Sequence, residues 1–455
     1  MSHFRTVDPA SGELLQEYAV LDPAGRGELI AAAASAAAGW GRSPVAERTA
    51  ALSRCAGLLE ERAPVLARAM ATEMGKPITQ GLAEARKCAA ACRYYAERAE
   101  DFLEPDPVVE FPGAAVRRAP LGPVLAIMPW NFPLWQVFRH AAPSLAAGNT
   151  LILKHAPNVP RCALAIEALA RDAGFPEGVV QAAFLDDEGT AAAIADPRVR
   201  AVALTGSTRA GRIVAELAGR HLKKCVLELG GSDPLLVFAD ADLEAAAETA
   251  ASSRCLNAGQ SCIAAKRFLV QRDALHDFLD RFMERMKSHV PGPPLDRSTN
   301  LGPLARADLR DALDSQVRRA VADGAGLLLG GKAPERPGYF YPATVLLLDE
   351  PKPSVWSEET FGPVAAVLAF DTEDEAVRLA NDTSHGLGAS AWTRSPERAE
   401  RLARDLEAGS VFINGLVRSD PALPFGGVKD SGFGRELSRA GLDELVNLKT
   451  VWSVL

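Results

Sequence analysis

The chain has 455 residues, enough for two or three domains, and nearly half of them are hydrophobic with 24% charged, as in an ordinary globular protein with a sizeable core. Its formal net charge of −8 argues against nucleic acid as a partner. The seven cysteines form no CxxC pair and suggest neither a disulfide framework nor a metal site, so a reducing cytoplasm is the expected setting.

Met1–Pro9 has no apolar signal region, and the apolar runs are too short to span a bilayer, so no membrane association is expected. Residues 28–104 read as Ala-rich amphipathic helices punctuated by Pro44, Pro64 and Gly75-Lys76-Pro77. Cys88 and Cys92 fall on one helix face and read as small buried hydrophobes rather than metal ligands. Residues 105–120 change character, with Pro105, Pro107 and Pro112-Gly113 framing short β-prone runs, and predict a projecting β-hairpin.

From Val124 the pattern alternates. Apolar runs at Val124–Met128, Thr150–Leu153, Val179–Ala183 and Val199–Leu204 are separated by helical stretches, which predicts a parallel sheet with crossover helices. A second series starts near Leu235 and includes Phe268–Val270, Thr344–Leu348, Val364–Phe370 and Gly409–Ile413. The end of the chain, Glu444–Leu455, is again strand-like. The fold class is therefore α/β.

Three segments carry candidate chemistry. Cys262, in Asn257-Ala258-Gly259-Gln260-Ser261-Cys262, is a thiol suited to attack a carbonyl carbon. The oxyanion that forms needs hydrogen-bond donors, and loss of one such donor typically costs about 3–4 kcal/mol. Asn131, between Pro129 and Pro133, is placed to hold a rigid amide for that purpose. Glu228 follows Cys225-Val226-Leu227 and precedes Gly230-Gly231, so it sits at a strand end where it can activate water. Taken alone, Cys262 would read as a buried core cysteine, Asn131 as a turn cap and Glu228 as a solvated carboxylate. A fourth segment, Thr205-Gly206-Ser207-Thr208-Arg209-Ala210-Gly211, follows a strand and opens a helix, which leaves backbone N–H groups for phosphate. It is not a P-loop, because Arg212-Ile213 stands where Lys-Ser/Thr is needed.

In order and approximate spacing, these segments resemble the aldehyde dehydrogenase superfamily, and the resemblance covers nearly the whole chain. It implies a nucleotide-binding domain over 1–104 and 121–230, and a catalytic domain over 231–437. It also implies a β oligomerisation element, at 105–120 and 438–455, that pairs subunits into dimers or tetramers. It assigns Cys262 the thiohemiacetal and thioester, Asn131 with the Cys262 backbone N–H the oxyanion, and Glu228 the hydrolysis. Branches that pass the acyl group to coenzyme A commonly lack this Glu, so a free acid product is implied. For NAD or NADP it implies Trp130, Lys154 at the adenosine ribose, and Gly206, Ser207 and Gly211 at the phosphates. Within Glu358-Glu359-Thr360-Phe361-Gly362-Pro363 it assigns Glu359 to the nicotinamide ribose, with Phe361 beside it. The usual pattern has a Glu three residues after the Lys, which repels a 2′-phosphate; here that place is Pro157. NADP thus stays open beside NAD, and a partly protonated His155 could attract it.

Lys154-His155-Ala156-Pro157-Asn158, together with Gly434-Arg435-Glu436-Leu437-Ser438, is similar to the bacterial succinate-semialdehyde dehydrogenase branch. A substrate of that kind carries a carboxylate, so a cation is expected at the mouth of the site. Arg139, Arg418 and Ser419 are the candidates, with Phe425 beside them. Leu256 and Ala264 depart from that branch, which often has an Arg and a second Cys at these places. Three alternatives remain beside succinate semialdehyde oxidation. They are an aldehyde dehydrogenase of broad aliphatic or aromatic range or for another semialdehyde, a cofactor-independent thiol esterase, and a structural protein on the same scaffold.

Overall fold

The computed structural model describes residues 3–352 and 354–453. Met1 and Ser2, Pro353, and the last two residues of the strand expected over 444–455 lie outside the described residues. Two parallel sheets dominate. The first has six strands in the order Gly432–Phe433, Lys224–Glu228, Ala201–Thr205, Pro123–Met128, Thr150–His155, Val180–Ala182. All neighbours are parallel except Gly432–Phe433 against Lys224–Glu228. Pro123–Met128 is buried at every position, as helices on both faces of a parallel sheet require. Strand order reverses around it, which makes the crevice beyond its C-terminal end the natural ligand site. Asn131, Lys154, Thr205 and Glu228 all sit at strand C-terminal ends or just past them.

The second sheet has seven strands in the order Gly326–Leu329, Thr344–Leu348, Val364–Phe370, Ala265–Gln271, Asp233–Val237, Gly388–Trp392, Ser410–Ile413. Only Gly326–Leu329 runs antiparallel. A three-stranded antiparallel sheet joins Asp106–Pro107, Ala114–Pro120 and Val446–Trp452. The first sheet takes its edge strand, Gly432–Phe433, from within the stretch expected to belong to the second domain. That crossing brings Glu436 back against the first sheet, beside Arg139. A hairpin at His3–Val7 and Leu14–Ala19, not expected from the sequence, precedes the helices.

Four helices fill the region read as Ala-rich: Pro23–Trp40, Val45–Glu61, Ala63–Met74 and Ile78–Leu103. In the last of these, Gly81, Glu84, Ala85, Cys88, Ala89, Ala91, Cys92, Tyr95 and Ala99 are buried at helical spacing. Small residues allow close approach: a Cβ on Gly81 would lie 3.0 Å from Ala67 Cα. This helix packs on Trp135–Ala147, which starts just after Asn131. Among the described residues no helix is long and apolar enough to cross a membrane.

Candidate active site

The nucleophile loop is built on unusual backbone. After the helix Leu243–Cys255, Asn257 and Ala258 take φ values of 54° and 55°, and Gly259 follows at 73°. Left-handed backbone at a non-glycine residue costs on the order of 1–3 kcal/mol and persists only where its surroundings over-determine it. Here they do. The Asn257 N–H donates to Gln80 Oε1 at 2.8 Å, and Asn257 Nδ2 donates to Asn131 O at 2.7 Å. Gln260 Oε1 accepts the Ala305 N–H at 2.9 Å. Position 259 has to be glycine, since a Cβ there would lie 2.3 Å from the Gly362 carbonyl carbon. Lys266 donates to Ser261 O and Cys262 O at 3.0 and 2.8 Å, fixing the end of the loop. Cys262 emerges half-buried on a cavity of about 230 Å³. Burial pushes its thiol up to about 11, against the pull of Arg139 and Lys266.

Asn131 meets this loop directly. Its Nδ2 donates to Gln260 O at 3.1 Å, which leaves the second amide hydrogen for an oxyanion. The turn is further clamped by Glu84 and His155. Glu84 Oε1 accepts the N–H groups of Leu134 and Trp135, both at 2.9 Å, while its other oxygen pairs with buried Lys76. His155 Nε2 donates to Pro133 O at 2.9 Å, and its Nδ1 accepts the Ala156 N–H at 2.9 Å. This corrects the expectation for His155. It is buried, its pKa is pushed down to about 4 by desolvation, and a neutral ring satisfies both contacts. It braces the Asn131 turn and offers no charge to a phosphate. Asn131→Ala is expected to lower kcat about 10²- to 10³-fold with little change in thiol alkylation rate, as steady-state kinetics and iodoacetamide labelling will show.

Glu228 is buried at the end of its strand. Burial holds its carboxyl well above the usual carboxylate range, and Glu436 adds to this while Arg139 opposes it. Arg139 Nη2 lies 4.0 Å from Glu228 Oε2, and its Nε pairs with Glu436. The Arg139 guanidinium also stacks over Phe425, 4.5 Å from the ring centre. Arg139 lines the cavity, and its guanidinium is ion-paired with Glu436. The cation expected to meet a substrate carboxylate is thus already ion-paired within the protein.

Arg418, Ser419 and Phe425 also line the cavity; Arg418 is exposed, whereas Ser419 and Phe425 are buried. Ser419 Oγ accepts from Lys87 Nζ at 2.9 Å and from Trp135 Nε1 at 3.0 Å. Lys87 was not singled out from the sequence. The available signal was helical spacing: Gln80, Ala83, Glu84 and Lys87, at i, i+3, i+4 and i+7, all face the cavity.

The residues at the cofactor side fit a nicotinamide nucleotide. Glu359 Oε1 accepts the Gly231 N–H at 3.1 Å and lies 3.6 Å from Lys266 Nζ. Glu359 approaches Gly230 closely, so that a Cβ there would sit 2.6 Å from Glu359 Oε2 and displace the carboxylate. Trp130 and Phe361 meet edge to face, with ring centres 5.7 Å apart. Glu358, by contrast, turns outward onto Arg319 at 2.8 Å. Ser207 caps the helix Thr208–Arg220 through the Ala210 N–H, and the amides of Thr208 and Arg209 precede any intrahelical acceptor. Two glycine expectations change. The Gly206 N–H donates to Glu228 O and the Gly211 N–H to Ser207 O, both at 2.9 Å, so neither amide is free for phosphate. Gly211 is instead a packing requirement, because a Cβ would lie 2.4 Å from Leu229 Cδ1.

A doubly wound sheet with a thiol loop, an amide turn and a carboxyl strand end converging on one crevice marks a nicotinamide-dependent oxidoreductase. The chain belongs to the aldehyde dehydrogenase family, whose model matches residues 1–451. It is 47% identical over 451 residues to a succinate-semialdehyde dehydrogenase [NADP(+)] of Mycobacterium tuberculosis, covering 98% of this chain and 99% of that one. It is 45% identical over 448 residues to a probable succinate-semialdehyde dehydrogenase [NADP(+)] of Synechocystis sp., with the same coverage. Among solved structures, the succinic semialdehyde dehydrogenase of Streptococcus pyogenes in complex with NADP+ matches with TM-score 0.96 at 35% identity, covering 99% of each chain.

Proposed function

We propose that this enzyme oxidises succinate semialdehyde to succinate through a thiohemiacetal and then a thioester on Cys262, with NADP or NAD. The observation that supports it best is the convergence of Cys262, Asn131 and the Arg139–Glu228 pair beside one largely apolar cavity, in a chain so close to enzymes of that name. Cys262 attacks the aldehyde carbon, Asn131 Nδ2 and the Cys262 N–H receive the oxyanion, and Glu228 takes a proton from the water that cleaves the thioester. The bound nicotinamide supplies the two-electron acceptor that turns thiohemiacetal into thioester. Lys154, the first-turn amides after Ser207, Glu359, Phe361 and Trp130 are the residues that would hold it. Butanal and benzaldehyde set against succinate semialdehyde, each with NAD and with NADP, test the reading; equal or better kcat/KM for the uncharged aldehydes sinks it. Nicotinamide-free turnover of an activated ester at comparable rate would favour the esterase alternative.

NADP preference is supported by Pro157, which leaves no carboxylate three residues after Lys154. Pro157→Glu is expected to shift the NADP-to-NAD ratio of kcat/KM about tenfold or more toward NAD, by repulsion of the 2′-phosphate. Subunit pairing is assigned to the three-stranded sheet, whose strand Val446–Trp452 exposes Leu448 and Trp452. Light scattering that returns a monomer mass would remove that assignment.

A further inference from the structure

Three cations in or behind the wall of the cavity beside Cys262 have a carboxylate partner. Lys76 pairs with Glu84, Arg139 with Glu436, and Lys266 approaches Glu359. Among the described residues no ion pair holds Arg418, exposed on the lining, or the half-buried ammonium of Lys87. Lys87 donates to Ser419 Oγ at 2.9 Å and stands over the Trp135 ring, 4.1 Å from the centre. A desolvated ammonium held only by a hydroxyl and an aromatic face is an unbalanced charge, costly unless an anion arrives.

Ser419 completes the geometry. Its oxygen accepts from both Lys87 and Trp135 Nε1, which occupies both lone pairs. Its own O–H is thereby left to donate. Two further N–H groups of Lys87 and the hydroxyl of Ser419 therefore form adjacent donors on one wall of the cavity, matching the two oxygens of a carboxylate. Phe132, Trp135, Ile263, Leu416, Val417 and Phe425 make the cavity largely apolar, as a short methylene chain requires.

We propose that Lys87, with Ser419 as its partner, receives the ω-carboxylate of the substrate and sets the preference for short ω-carboxy aldehydes over uncharged ones. This rests on the reading of the enzyme as a semialdehyde dehydrogenase. The charge state agrees with it. Burial pushes Lys87 down to about 8, with Arg139 of the neighbouring helix acting the same way, while Cys88 and Glu84 of its own helix and Asp420 of the covering loop act against it. Arg418, on that same loop, also borders the cavity. At neutral pH the ammonium is protonated, and the free enzyme loses the charge as pH rises through about 8. The KM for a carboxy-aldehyde is thus expected to climb above that pH, and the KM for butanal is not.

Lys87→Met and Lys87→Arg, in the full-length enzyme, test the assignment with succinate semialdehyde, glutarate semialdehyde and butanal. Lys87→Met is expected to raise the KM for the preferred acid by roughly 10- to 100-fold, the loss of a charge-assisted contact, and to raise kcat/KM for butanal. Lys87→Arg is expected to recover part of the acid preference. Succinate inhibition of butanal turnover should weaken in parallel in Lys87→Met. If the wild type prefers succinate semialdehyde and Lys87→Met keeps that preference, Lys87 is not the anchor although the proposed function stands. If the wild type prefers glutarate semialdehyde and Lys87→Met loses that preference, the anchor stands and the named substrate falls. No preference for either acid over butanal overturns both. Should Lys87→Met fail to fold, the wild-type KM profile between pH 7 and 9 decides, and parallel curves for acid and butanal overturn the anchor.

Discussion

Cys262→Ala is expected to abolish aldehyde oxidation, by roughly 10⁵-fold or more, while NADP still binds. No other thiol can take its place. Cys55, Cys88, Cys92, Cys162 and Cys255 are buried in the core, and Cys225 is pushed up to about 12 by desolvation. Without the thiol there is neither a thiohemiacetal to oxidise nor an acyl carrier to hydrolyse. Reduced-nicotinamide formation measures the loss, and titration of NADP by quenching of protein fluorescence checks that the fold is intact. The wild-type thiol has its own signature. Burial lifts it to about 11, so thiolate is a minor species at pH 8, and iodoacetamide inactivation should climb about tenfold per pH unit from pH 8 to 10. A rate that levels off near pH 8 would mean that Arg139 and Lys266 outweigh desolvation. Residual oxidation above about 1% of wild type in Cys262→Ala would remove the residue from the mechanism.

What the sequence revealed about this site was local, and what it hid was not. Asn131, Glu228 and Cys262 each lie in a short segment whose neighbours announce a turn, a strand end or a tight loop, so each could be read without knowing where the others sit. The parallel strands were equally legible, because Pro123–Met128 and Val364–Phe370 are continuous apolar runs, and a run of that kind belongs inside a sheet covered on both faces. Charge partnerships are different. Arg139 looked like a substrate cation because its carboxylate, Glu436, arrives from nearly three hundred residues away, on the segment that returns to the first sheet as Gly432–Phe433. Lys87 was not singled out, because its partner Ser419 is 332 residues distant. His155 looked titratable until the turn it braces folded over it. Gly211 shows the same limit for glycine motifs. Its spacing suggested phosphate, yet the pressure for glycine comes from packing against Leu229. Periodicity reports which face of an element is buried, but not which buried charge neutralises which.

Glu228→Gln is expected to separate the two halves of the reaction. Glutamine keeps the volume of the buried carboxyl, and Arg139 keeps its ion pair with Glu436, so acylation of Cys262 should survive. Only the acceptor for the water's proton is lost. Rapid mixing with substrate and NADP should then give a burst of about one reduced nicotinamide per active site, followed by steady turnover slowed about 10²- to 10⁴-fold. The pH profile follows from the position of this carboxyl. Burial and Glu436 raise it, Arg139 lowers it, and the net direction is upward, so it holds its proton to higher pH than an ordinary glutamate. A base that must first lose its own proton makes deacylation faster as pH rises, until the carboxyl is fully ionised. The wild type should therefore show a rising limb in kcat placed above the range of an ordinary glutamate, and Glu228→Gln should lack it. A variant that loses the burst together with steady turnover would place Glu228 in the attack of Cys262 rather than in hydrolysis. One that retains more than about a third of wild-type kcat would leave the water to another group, and Glu436, held by Arg139 against the same strand end, is the carboxyl that would then be tested.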